Sequence, residues 1–202
     1  PLWRAETEGY ISSISISGYG DFSAVASDNT IYLFDKKLPP KGEEKKPLWK
    51  FKGYGTARSV ILSRDGLYLL GAIGSNIYLF DTTLPPLGKE KSYIYSFNCG
   101  GLVEELSTDL GFKYFLARTT SSIILLSKGG VLWRREFKEG ISRATLSYDG
   151  RLIATLSKRY LFVFDLDKPK NKEEKKPLWE FDAKNLLNTL AISEKNPDNK
   201  NY

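Results

Sequence analysis

Short runs of five to eight residues, in which apolar and polar positions alternate or apolar residues follow one another, recur along the whole chain. No segment carries the three-to-four spacing of an amphipathic helix. Ile, Val, Leu, Tyr, Phe and Trp fill the runs, while Gly, Asp, Asn and Ser separate them, which is the chemistry of strands and tight turns. In one stretch the strands, named a to d, read Ala57 to Ser63, Leu67 to Ile73, Asn76 to Asp81 and Ser92 to Asn98. The a–b and b–c connections are too short for anything but hairpins, so the pattern predicts a four-stranded antiparallel meander.

The meander is repeated. Pro-Leu-Trp occurs at Pro1, Pro47 and Pro177, Val131-Leu132-Trp133 is a fourth version, and Tyr93-Ile94-Tyr95-Ser96-Phe97 holds the same place; successive markers lie 46, 46, 38 and 46 residues apart. Between them come Ser-x-Asp-Gly turns at Ser63 to Gly66 and Ser147 to Gly150, with looser versions at Ser17 to Gly20 and Ser107 to Gly111. Closing strands read Ile31 to Asp35, Ile77 to Asp81 and Leu161 to Asp165. So small a meander cannot bury both of its apolar faces and must stack on copies of itself. A four-stranded unit of roughly 40 to 45 residues is the signature of a propeller blade. The expected class is therefore all-β, a β-propeller of four-stranded antiparallel blades. Complete blades are expected over about 10–52, 57–98, 101–137 and 141–182, with a lone d strand at 1–6, a lone a strand at 186–193 and a polar tail at 194–202. Since the terminal strands lack b and c partners, the chain is expected to be part of a ring of about six to eight blades, completed by a missing segment or a second chain.

The stretch Arg58-Ser59-Val60-Ile61-Leu62-Ser63-Arg64-Asp65-Gly66, followed by Leu69-Leu70-Gly71 and Ile77-Tyr78-Leu79-Phe80-Asp81, resembles a divergent WD-repeat blade of the kind common in archaeal propellers. The joins from Asp35 to Trp49 and from Asp165 to Trp179 are similar to those of quinoprotein-type propeller repeats. The resemblance covers nearly the whole chain and implies the propeller fold, without carrying over a class of partner. Two departures stand out: with no His the Gly-His pair of WD repeats is missing, and Phe-Asp replaces Trp-Asp.

Aligning the a strands on Ser17, Ser63, Ser107, Ser147 and Ser193 gives one column of Ile14, Val60, Glu104, Ala144 and Leu190 and another of Ile16, Leu62, Leu106, Leu146 and Ile192. Both columns, with Leu33, Leu79 and Val163 from c strands, are expected to form inter-blade core. Glu104 breaks the first. A carboxylate there needs a partner or solvent, which leaves three readings: a ligand-facing acid in a central channel, an ion pair with Arg58, Arg118 or Arg143, or a shifted register.

Composition narrows the chemistry. The 202 residues include no His, Met or Gln and a single Cys, Cys99, so an imidazole base, a His-ligated metal or an internal disulfide is not to be had from these residues. Few thermolabile residues beside abundant Lys and Glu is the composition of a heat-adapted protein. A chain beginning at Pro1 without Met is expected to be processed or partial. No apolar run is long enough to predict a membrane-spanning helix. Net charge is +6 with pI near 9.2, but lysines alternate with glutamates, as in Lys41 to Lys46 and Lys172 to Lys176. That mixing argues against nucleic acid and predicts solvated loops. The c–d loops at Lys36 to Lys46, Thr82 to Lys91 and Asp167 to Lys176 share one end of the blades with the a–b turns. Trp3, Trp49, Trp133 and Trp179 repeat at one d-strand position, which predicts packing and no quinone stacking.

Two function classes remain. The first is a non-catalytic scaffold for protein partners without cofactor or metal; the second is a quinone-dependent or lactonase-like enzyme using channel carboxylates, with Glu104 as base. For the scaffold, the expected partner surface is the end that holds the d–a and b–c loops. Tyr54, Arg58, Glu104, Glu105, Arg118, Arg143, Lys158 and Arg159 fall there, where short loops lower the ordering cost of binding.

Overall fold

The computed structural model describes residues 2–84, 91–167 and 176–192. Among them there is no helix, and all regular structure is antiparallel sheet. The first sheet joins β1 (Ile11–Ile16), β2 (Phe22–Ser27), β3 (Thr30–Asp35) and β4 (Trp49–Lys52). The second joins β5 (Ala57–Leu62), β6 (Tyr68–Ile73), β7 (Asn76–Asp81) and β8 (Tyr95–Asn98), and the third β9 (Val103–Thr108), β10 (Tyr114–Thr119), β11 (Ser122–Ser127) and β12 (Gly130–Glu136). The fourth joins β13 (Arg143–Leu146), β14 (Leu152–Ser157), β15 (Tyr160–Asp165) and β16 (Trp179–Asp182). In every sheet neighbours in sequence are neighbours in space, the meander that the hairpin spacings require. The chain forms two compact units, Pro1–Leu106 and Ser107–Tyr202, with the boundary inside β9.

The a–b turns show why the repeat carries Ser-x-Asp-Gly. The Ser63 hydroxyl accepts the Tyr68 N–H at 2.9 Å and donates to Asp65 at 2.6 Å. Gly66 supplies the left-handed residue at φ +74, a conformation that a Cβ disfavours. Ser147, Asp149 and Gly150 repeat the arrangement, with Gly150 at φ +72.

In the first unit the sheets stack face to face. Val60 and Leu62 donate their N–H groups to the Ser13 and Ser15 hydroxyls at 3.2 and 2.9 Å. Behind this seam Ala24, Ala26, Ile31, Leu33, Trp49 and Phe51 pack on Val60, Leu62, Leu69, Ile73, Tyr78 and Phe80. Trp49 lies 5.3 Å from Phe80, ring centre to ring centre. The sheets come so close that a Cβ on Gly71 would fall 2.2 Å from the Ile31 side chain. Residues 2–6 take the place of a d strand without ladder pairing: Trp3 lies 5.6 Å from Phe34, and the Arg4 carbonyl accepts the Lys45 N–H. In the second unit Leu116, Ile123, Leu125, Trp133 and Phe137 pack on Ala144, Leu146, Ile153 and Phe164.

Val60, Leu62, Leu106, Leu146, Leu33, Leu79 and Val163 are buried as expected. Ile14 and Ile16 are not: they are 68% and 64% exposed. An a strand turns one row of side chains toward the sheet before it and one toward the sheet after it. Ser13 and Ser15 face β5, so Ile14 and Ile16 face the other way, where no sheet of the unit lies among the described residues. Leu190 and Ile192 are half-buried, and residues 186–192 carry no strand. Ser193, the tail at 194–202 and loop residues 85–90 and 168–175 lie outside the described residues.

Candidate functional site

In the first unit Tyr54, on the β4–β5 loop, is 93% exposed. Arg58 and Glu104 meet in an ion pair of 2.7 Å, with Glu105 half-buried beside it. The placing of Glu104 in the apolar column is therefore a register error, and the turn chemistry shows its source. In the third sheet the groups that close the a–b turn are not on Ser107 but on Asp109, whose carboxylate accepts the N–H groups of Lys113 and Tyr114 at 2.9 and 2.6 Å. Ser17, Ser63 and Ser147 accept those of Phe22, Tyr68 and Leu152 in the same way. With Asp109 in the column, Leu106 becomes the counterpart of Val60, and Glu104 becomes the counterpart of Arg58. The pair joins equivalent positions of successive a strands.

The remaining expected site residues belong to the second unit. Arg118 is only 8% exposed and donates to the Ile141 carbonyl at 3.1 Å, so it pins a loop and is not presented to a partner. Arg143 is exposed and bonds the Ser142 carbonyl. Lys158 pairs with Glu139 at 3.1 Å, and Arg159 pairs with Asp182 at 3.0 Å and donates to the Tyr160 hydroxyl. Cys99 is fully buried.

The opposite end of the blades differs from expectation. Within the mixed-charge run read as solvated, Lys45 is buried; its ammonium bonds the Asp35 carboxylate and, at 2.6 Å, the Lys37 carbonyl. Lys91 stands 46 residues further on and is also buried, its ammonium 5.6 Å from the Trp49 ring centre and bonded to the Leu84 carbonyl. Desolvation lowers the Lys91 pKa, opposed by the charge of Asp81. These lysines tether the c–d loops to the blades.

An open cavity of about 520 Å³ lies at the d–a and b–c loop end of the first unit, lined by Glu8, Asp28, Asn29, Lys52, Gly55 and Thr56. Glu8 pairs with Lys50 at 2.6 Å; that hydrogen bond chiefly, and the charges of Lys50 and Lys52, lower its pKa. Asp28 adopts φ +48 at the place where Gly74 stands in the next repeat at φ +59. Its carboxylate accepts the Tyr10 N–H at 3.1 Å over Gly9, where a Cβ would fall 1.8 Å from the carboxylate oxygen. Sequence reasoning missed this site, although the 46-residue spacing exposes it. The counterparts of Glu8, Asp28, Asn29, Lys52 and Thr56 are Tyr54, Gly74, Ser75, Asn98 and Leu102, a set without charge.

Among the described residues no three acidic, His or Cys side chains group as metal ligands, and no helix is long and apolar enough to cross a membrane. No protein-family model matches the chain, and no curated protein matches it.

Proposed function

We propose that the chain is a non-catalytic segment of a β-propeller that scaffolds protein partners, recognising them with the d–a and b–c loop end of its blades. The observation that supports this reading most is the contrast between scaffold and loop end. The stacking positions repeat from sheet to sheet, as in Trp3 on Phe34, Trp49 on Phe80 and Trp133 on Phe164. The loop-end positions change from repeat to repeat and hold Tyr54 and Arg143 in exposed places. Variable side chains on short loops above a fixed framework are the arrangement in which recognition is carried. Glu104, the base required by an enzymatic reading, is held by Arg58. Affinity capture with the parent, Tyr54→Ala, Arg143→Glu and the opposite-end variant Lys41→Glu/Lys46→Glu tests the proposal. The expected result is partner loss with Tyr54→Ala or Arg143→Glu at unchanged melting temperature. Loss only with the lysine variant overturns it.

A further inference from the structure

We propose that the cavity of the first unit binds a small zwitterion with a free ammonium and a free carboxylate, as in a dipeptide, its ammonium against Asp28 and its carboxylate against Lys52. Both side chains line the cavity, and neither makes an ion pair among the described residues. Among the described residues the Asp28 carboxylate accepts only the Tyr10 N–H, and Lys52 acts on Glu8 through space without bonding it. Two opposite charges that share a cavity and leave each other unpaired are set for a ligand carrying both.

The other lining groups fit the same ligand. Asn29 accepts the Thr30 hydroxyl through its side-chain oxygen, so its amide NH₂ is left to donate toward a carboxylate. Thr56 adds a hydroxyl to the lining. Glu8, which also lines the cavity, is held in an ion pair with Lys50. The volume of about 520 Å³ lies within the range of small-molecule sites, roughly 300 to 1,000 Å³.

The charges are not required by the repeat, and where the fourth sheet has charges at this junction they are ion-paired, Lys158 with Glu139 and Arg159 with Asp182. One repeat later the same junction is built from Tyr54, Gly74, Ser75, Asn98 and Leu102, and its strands pair in the same meander. The framework therefore needs none of these charges. Asp28 holds a left-handed position that Gly takes next door and Lys158 takes in the fourth sheet, and its carboxylate is admitted only by the missing Cβ of Gly9. The proposal does not depend on a protein partner.

Calorimetric titration with glycylglycine, N-acetyl-glycylglycine and glycylglycine amide tests it. The free dipeptide is expected to bind, and each capped form to bind roughly two- to fivefold more weakly, as expected for loss of one exposed charge contact. In Asp28→Asn acetylation should no longer matter, in Lys52→Gln amidation should no longer matter, and Gly9→Ala should weaken the free dipeptide by displacing Asp28. Absence of binding, or equal binding of free and capped forms, overturns the proposal. Dipeptide binding retained in Tyr54→Ala and Arg143→Glu, together with failure of any partner capture, would leave this site standing and remove the scaffold reading alone.

Discussion

Ile16 and Leu62 occupy equivalent a-strand positions 46 residues apart, yet Ile16 is 64% exposed and Leu62 is 6% exposed. Truncating each to Ala therefore measures what a preceding sheet contributes. Leu62→Ala removes three carbons from the seam where Val60, Leu69 and Phe80 meet the first sheet. At about 0.8 kcal/mol per buried methylene the transfer loss is about 2.4 kcal/mol. The closely stacked sheets, held at Ser13 and Ser15, have little room to collapse, so a cavity contribution brings the expected loss to about 3 to 4 kcal/mol. Ile16→Ala loses only its buried third, under about 1 kcal/mol on the same scale. Urea unfolding followed by tryptophan fluorescence reports the difference, since Trp49 lies in the same cluster as Leu62. The midpoint of Leu62→Ala should fall far below those of the parent and of Ile16→Ala, at similar slopes. Equal losses in the two variants would show that Ile16 is covered as Leu62 is, and would refute the placing of the β1 face.

Four further expectations follow from the contacts. Gly71→Ala drives a Cβ to 2.2 Å from Ile31 and should destabilise by about 1 to 3 kcal/mol, measured by the same unfolding. A double-mutant cycle on Arg58→Met and Glu104→Gln should give a coupling of about 1 kcal/mol that shrinks in high salt, because Arg58 is 39% and Glu104 22% exposed. The Asp149 pKa is lowered by the Ser147 hydroxyl first and the Arg151 N–H next. Its folded value lies below the ordinary 3.8, so its stabilisation is complete above that pH and is lost as pH falls through the folded value; Asp149→Asn should flatten that limb of the pH–stability curve. Lys45→Glu should lower the melting temperature sharply while Lys46→Glu does not, since only Lys45 is bonded to Asp35 within the fold.

The repeat was legible because it is written in turn chemistry. Ser63, Asp65 and Gly66 specify one turn through three short-range contacts, and a local pattern of that kind is readable without tertiary information. Asp109 shows the limit. It closes its turn with a carboxylate where the other repeats use a serine hydroxyl, so aligning on the residue type displaced the strand by two positions and carried Glu104 into the core column; aligning on the 46-residue spacing would have placed both. Lys45 was illegible for a different reason: its neighbours Glu43, Glu44 and Lys46 are polar, and burial of the one ammonium depends on Asp35, brought back by the loop. The exposure of Ile14 and Ile16 was hidden because an apolar residue records the face it can pack on and not whether a neighbouring sheet is there. The cavity depends on side chains that are ordinary one by one, and only their departure from the next repeat marks them.

The proposed recognition of a protein partner by the d–a and b–c loop end is tested most directly by photo-cross-linking with a reactive residue placed at Tyr54 in one variant and at Lys41 in another, each irradiated with a protein captured by the parent chain. Cross-links to one partner from position 54, with none from position 41, are expected. Cross-links from position 41 with none from position 54 would contradict the account, because the partner would then sit on the loops that the buried lysines hold.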